Sequence, residues 1–438
     1  MDTLIANATV VTMNEKMDVL FGAYLGITNG KITYLSKTPP EEKPAQILDG
    51  TGMVAMPGLV NCHTHLATTA MRTAMDDASR AQALEQQLQL EAKMDRRAAK
   101  AAALLGIAEC LRFGVTSVSD LYYYPDATAE AAAESGIKAN VALSAYRFID
   151  AQEEFDFEQD EQCAESCRVA EKWHGHDEGR IKVDAGIYAE YTSNYKLWEG
   201  LTAWAGEQGL GMQLHLAETA REAEECLDRT GLGPAELLNT HGVFALPTTA
   251  AGCAALTEEE RTLLGKKKVS AVVTPVATAK AGLPTTDITQ CVKAGMNVAL
   301  GTGGAVECGN LDMFEQMRFA ALSQRQLGGD GDKLPAAAAL MLATTCGARA
   351  QGRGDTTGML KPGMDADLIL VDFSAPHLIP CHDVMNALVF SAKGGDVAMT
   401  MVRGKILYQN GTFPTIDLKA AVEELMQHAL PKLMGQKE

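Results

Sequence analysis

The sequence predicts an α/β protein: a (β/α)8 TIM-type barrel carrying a small β-sandwich built from both chain ends. Three observations point there. Between about residues 58 and 355, eight short apolar runs alternate with longer helical segments, as in a barrel of parallel strands. The first 57 residues instead read as short strands joined by tight turns, and that texture returns near the end. Neither end has enough strands to bury two faces, so the two are expected to pair.

The opening strands are read in residues 3–13, 23–36 and 46–56, with Asn29-Gly30 as a hairpin turn and Pro57-Gly58 as the closing break. Their counterparts are residues 365–373 and 397–411, the latter ending in a turn at Asn410-Gly411. Barrel strands are placed at residues 59–62, 116–120, 138–144, 181–187, 211–216, 248–256, 269–274 and 297–301. The expected organisation is a sandwich from 1–57 and 356–415, a barrel over 58–355 and a C-terminal helix over 416–438.

A formal charge of −18 repels polyanions, which argues against nucleic acid or an anionic membrane surface as a partner. Lys266-Lys267-Lys268 is read as a solvated helix end. No run of 18 apolar residues occurs and no basic leader precedes an apolar stretch, so a cytoplasmic location is expected. Ten cysteines without paired spacing, many in apolar runs, read as reduced and buried.

Barrel enzymes place their chemistry at the C-terminal ends of the strands. His63-Thr64-His65 follows the first barrel strand, and residues two apart in an extended segment face the same side, so both imidazoles can meet one ion. His174-Gly175-His176 has the same spacing but precedes its strand, on the opposite face, and is read as structural. His215 ends the fifth strand with Glu218 three residues on, offering a third nitrogen and a proton-carrying carboxyl.

The run from Met56 to His65, Met71-Arg72-Thr73 with Asp76-Asp77, His215 to Thr219, Leu311 to Met317 and Ala366-Asp367 before an apolar strand together resemble the amidohydrolase superfamily. More narrowly, they are similar to its methylthioadenosine/S-adenosylhomocysteine deaminase and chlorohydrolase branch. The resemblance implies one divalent metal, zinc before iron or manganese, held by His63, His65 and His215, with Glu218 as the catalytic proton carrier. It also implies a small-molecule substrate, a ribose contact at Glu91 and a homo-oligomer, often a dimer or larger. Tyr188, where the branch has a histidine, is a candidate substrate contact.

The chain departs from the pattern at four positions. Gly252 and Ala255 stand where the sixth strand would carry histidines, Val273 where the seventh would carry one, and Gly303 where an aspartate after the eighth strand would complete the metal site. The smaller residues predict a roomier cavity, and Gln82 replaces an aromatic residue. Loss of the aspartate weakens the hold on the ion and removes a proton acceptor, unless Glu307 or Cys308 folds back to replace it. Two readings stay open. One is a deaminase-type hydrolase of a C–N bond in a heterocyclic or nucleoside-like substrate; the other is a catalytically inactive member that binds a small molecule or a partner.

Overall fold

The computed structural model describes residues 1–78, 80–147 and 153–435. The strands of the N-terminal segment are β1 Thr3–Val11, β2 Val19–Thr28, β3 Lys31–Ser36, β4 Gln46–Asp49 and β5 Met53–Pro57. Those of the barrel are β6 Leu59–His65, β7 Val115–Tyr122, β8 Lys138–Leu143, β9 Ile181–Val183, β10 Ala185–Ile187, β11 Met212–Leu216, β12 Thr248–Gly252, β13 Ser270–Val273, β14 Asn297–Leu300 and β15 Gly303–Gly304. Three more close the chain: β16 Leu368–Asp372, β17 Val397–Val402 and β18 Lys405–Gln409.

The two ends share one eight-stranded sheet. Its order is β18-β17-β16-β5-β1-β2-β3, with β4 on β1, and antiparallel β5–β16 is the seam between N- and C-terminal halves. Alternating side chains from Ile5, Leu25, Ile27, Leu368, Leu370 and Met399 fill its interior. The turns carry the backbone their sequence requires. Asn29 and Gly30 both have positive φ, 51° and 74°, as do Asn410 and Gly411, the arrangement that matches strand twist in a tight hairpin. A third such pair, Arg403-Gly404, joins β17 to β18 and carried no clear sequence signal.

All eight predicted barrel runs are strands, and every barrel pairing is parallel. The fourth run is broken at Asp184 into β9 and β10, the first pairing with β8 and the second with β11. Between β14 and β6 the ring closes through β15, where Gly303 lies opposite Thr64 and Gly304 opposite His65. Asn61 locks this seam, donating to Thr302 Oγ1 at 2.8 Å while its own Oδ1 accepts from the Thr302 amide at 3.0 Å. Both faces of these strands are covered, which explains why they read as continuous apolar runs.

Chain passage from sheet to barrel is abrupt. Gly58 follows β5 directly, and a Cβ there would overlap the Thr116 side chain, so only glycine permits β6 to start against β7. The C-terminal residues Leu418–Glu424, Leu425–Ala429 and Leu430–Leu433 form successive helical segments, the first two packed on the helix Arg96–Arg112. No helix among the described residues is long and apolar enough to cross a membrane.

Candidate metal centre and active-site cavity

His63 and His65 end β6 and His215 lies near the end of β11, so parallel pairing delivers all three to one mouth of the barrel. One ring nitrogen from each falls within 4.8 Å of the others. The orientation of two rings follows from their hydrogen bonds. A carbonyl only accepts, so His65 Nδ1, 2.7 Å from Leu121 O, and His215 Nδ1, 2.7 Å from Tyr188 O, carry the protons. Their Nε2 lone pairs are thereby left for the site.

His63 Nε2 lies 3.1 Å from His215 Nε2. Two lone pairs at that distance repel unless a proton or a cation stands between them. Burial, with the neighbouring imidazoles, holds His63 well below its ordinary pKa, and burial together with His65 holds His215 down to about 4. The Tyr188 carbonyl and the Glu307 carboxylate oppose the His215 shift. At neutral pH His63 and His215 are neutral imidazoles, the form a divalent ion binds. The residues present therefore fit a metal ion.

The segment is braced from below. Asp120, on β7, accepts from the Leu66 amide at 2.7 Å and from Thr64 Oγ1 at 3.0 Å, and its second oxygen takes Thr128 Oγ1 at 3.1 Å. The acid was not singled out from sequence, although a lone charge in the apolar run 116–120 was its signal. Arg72 pairs with Glu109 and donates to Gly309 O at 2.5 Å, tying the turn that follows His65 to the end of the helix Ala305–Cys308.

Above the histidines opens a cavity of about 510 Å³. Glu218, Glu91 and Tyr188 all line it, as does Gly303. Gln87 donates to Glu91 Oε1 and so does the Tyr122 hydroxyl, each at 3.1 Å, while burial raises the Glu91 pKa against those bonds. The Tyr188 ring lies 5.0 Å from that of His215. Tyr122, Tyr123 and Tyr191 extend this into an aromatic wall that sequence reading missed, although Tyr122 and Tyr123 lie at the end of a barrel strand, where the fold rule directs attention. Met75, Leu84 and Leu88 form an apolar side. Gln82 is exposed and does not line the cavity; Leu84 and Gln87 on the same helix, Arg80–Glu91, do.

The four substituted positions behave differently from the expectation of added room. A Cβ at Gly252, φ +100°, would lie 2.6 Å from Glu218 Cγ. One at Gly303, φ +69°, would lie 2.5 Å from Glu307 Oε2. Each glycine is thus covered by a glutamate side chain, and the space is used. Val273 faces away from the cavity into the packed barrel layer, because strand side chains alternate, and Thr274 lines the cavity in its place. Ala255 packs against the barrel core outside the cavity, its amide on Ala217 O at 2.9 Å. Cys308 is buried, its thiol directed to Gly304 O and Asn310 O and pushed up to about 12, chiefly by burial.

His174 and His176 stand at the far end of the barrel, His174 Nδ1 3.2 Å from the Val183 amide and His176 edge-on to Trp173. Lys266, Lys267 and Lys268 are exposed at a helix end.

A family model described as the amidohydrolase family matches residues 54–407. The chain belongs to the amidohydrolase family. This amidohydrolase is 32% identical to a 5-methylthioadenosine/S-adenosylhomocysteine deaminase of Thermoanaerobacter pseudethanolicus, over 98% of this chain and 99% of that one. It is 35% identical to a 5'-deoxyadenosine deaminase of Methanosarcina mazei, over 98% of both chains. Among solved structures, a zinc-bound adenosine deaminase of Xanthomonas campestris superposes with a TM-score of 0.92 at 29% identity, covering 99% of both chains. A zinc complex of atrazine chlorohydrolase from Arthrobacter aurescens, 23% identical, shares the fold at a TM-score of 0.90 over 98% of this chain and all of that one. The chain is a family-level hydrolase with a three-histidine group of the kind that holds a metal ion.

Proposed function

We propose that this amidohydrolase is a zinc-dependent deaminase of a small nucleoside-like heterocycle, with His63, His65 and His215 as the metal donors. The observation that carries the reading is convergence: three imidazoles and the Glu218 carboxyl share one cavity at the catalytic mouth of the barrel. The named relatives at 32% and 35% identity deaminate adenosine-type compounds, which supports the substrate class. When bound, a divalent ion supplies a Lewis acid that brings the pKa of water down to about 7.

The chain's own residues do the rest. Glu218 stands to give a proton to the ring nitrogen beside the attacked carbon, so that water adds and the exocyclic amine leaves as ammonia. The tyrosine wall offers flat faces to a planar ring. Glu91, presented by Gln87 and Tyr122, offers a carboxyl to a sugar hydroxyl, and Met75, Leu84 and Leu88 suit an apolar substituent. Ten free cysteines, eight of them buried, support a cytoplasmic placement.

The test combines elemental analysis with ammonia release from methylthioadenosine, S-adenosylhomocysteine and 5'-deoxyadenosine. Near one equivalent of zinc and turnover of at least one compound are expected, with Glu218→Gln keeping the zinc but losing about 10²- to 10⁴-fold in kcat. A metal-free chain, or one with full zinc and no turnover of any of the three, would overturn the reading and favour a silent binding protein.

A further inference from the structure

Gly303 lacks the carboxylate that would complete an amidohydrolase metal site, yet a carboxylate is present at that place in space. Four residues on, in the short helix Ala305–Cys308, Glu307 turns back over the glycine. Its Oε2 accepts from the Gly304 amide at 2.9 Å and occupies the position into which any Gly303 side chain would project. Its Oε1 has no hydrogen-bond partner among the described residues, and Glu307 lines the same cavity as the three histidines.

The surrounding loop is built to hold this arrangement. Asn61 and Thr302 fix the backbone before Gly303, and Arg72 fixes Gly309 beyond the helix. The positive φ of Gly303 bends the chain so that residue 307 returns to it. Cys308 points the other way, to Gly304 O and Asn310 O. The only cation lining the cavity among the described residues, Lys280, is paired with Asp76 at 2.6 Å, so the free Glu307 oxygen is not neutralised there.

We propose that Glu307 replaces the missing aspartate, placing its carboxylate beside an ion held by His63, His65 and His215 and accepting a hydrogen bond from that ion's water. The proposal rests on the zinc-dependent reading above. The group of donors within 4.8 Å contains the three histidines alone, which assigns Glu307 to the ion's water rather than to the inner set. A carboxylate there restores one negative charge next to a dication and supplies the acceptor that Gly303 cannot.

A simpler role, capping the Gly304 amide, makes an opposite forecast. A glutamine caps as well as a glutamate but carries no charge. Zinc affinity, read by competition with a chromogenic chelator, should therefore fall about 10- to 100-fold in Glu307→Gln and in Glu307→Ala, while their thermal unfolding stays cooperative. Adding Gly303→Asp to the Glu307→Ala chain should recover part of that loss, because the new side chain enters the space the glutamate has left, and aspartate tolerates positive φ. Unchanged zinc affinity in Glu307→Gln overturns the proposal, as does a Gly303→Asp addition that recovers nothing. Failure of the zinc reading itself shows separately, as a wild-type chain that takes up no zinc.

Discussion

At the residue scale, the site depends on two imidazoles, His63 and His215, that burial keeps neutral. His215 is held down to about 4 by burial first and by His65 second. In the unfolded chain the same ring titrates near 6.5. Between these values the unfolded state binds a proton that the folded state does not, so the contribution is fully present above about pH 6.5 and is lost as pH falls toward 4. The metal-stripped protein should lose up to about 1.4 kcal/mol per pH unit across that window from this group, and His215→Phe should flatten the slope in urea melts run from pH 7 to 4. An unchanged slope would mean that the ring is solvated and poorly placed to bind an ion. The three histidines were legible because a metal pattern and a strand end coincide in the sequence. Tyr122, Tyr123 and Asp120 were not, since their roles arise only when β7 lies beside β6.

At the element scale, the informative piece is the two-residue strand β15. Its sequence, a pair of glycines after an apolar run, reads as a loop, and only the barrel's closure turns it into a strand beside Thr64 and His65. That closure places Gly303 against the metal segment and sets the direction from which Glu307 returns. The family resemblance exposed the missing acid and left Glu307 and Cys308 as candidates to replace it; the turn decides between them, bringing Glu307 back over Gly303 and sending the Cys308 thiol to Gly304 O and Asn310 O. The Asn61–Thr302 pair carries the seam through two buried hydrogen bonds. Asn61→Leu should remove both, leaving the Thr302 amide only its bond to His63 O at 3.1 Å, and cost about 1–3 kcal/mol. It should also weaken zinc binding, since Asn61 lies two residues from His63. Equal effects on zinc affinity from Asn61→Leu and from Cys62→Ala, which touches no part of the seam's hydrogen bonds, would show that the seam has no special role.

At the scale of the whole molecule, sandwich and barrel are joined by a buried charge rather than by apolar packing alone. Lys138, the first residue of β8, is 1% exposed and donates to Asp365 at 2.7 Å, to Asp367 and to Thr357 at 2.9 Å. Both carboxylates come from the segment leading into β16, so the contact links the barrel end opposite the metal centre to the terminal sheet. Burial would raise Asp365, but the charge of Lys138 and its hydrogen bond hold that carboxyl below the ordinary range. Its share of the junction's stability is present at neutral pH and is lost as pH falls through that depressed value. From sequence, Asp367 was legible as part of a family motif, while Lys138 was only the first residue of the strand read at 138–144; pairing across 229 residues gives it its role. Lys138→Met should strand the Asp367 carboxylate, 1% exposed in its side chain, while Asp365 keeps Lys31 at 3.1 Å, and should cost about 3–5 kcal/mol, measured by urea unfolding at pH 7. Adding Asp367→Asn should return much of it by removing the stranded charge. Because the junction lies at the far end of the barrel, the folded fraction of each variant should keep the wild-type zinc stoichiometry, and a parallel loss of zinc would show that the two ends of the barrel are coupled.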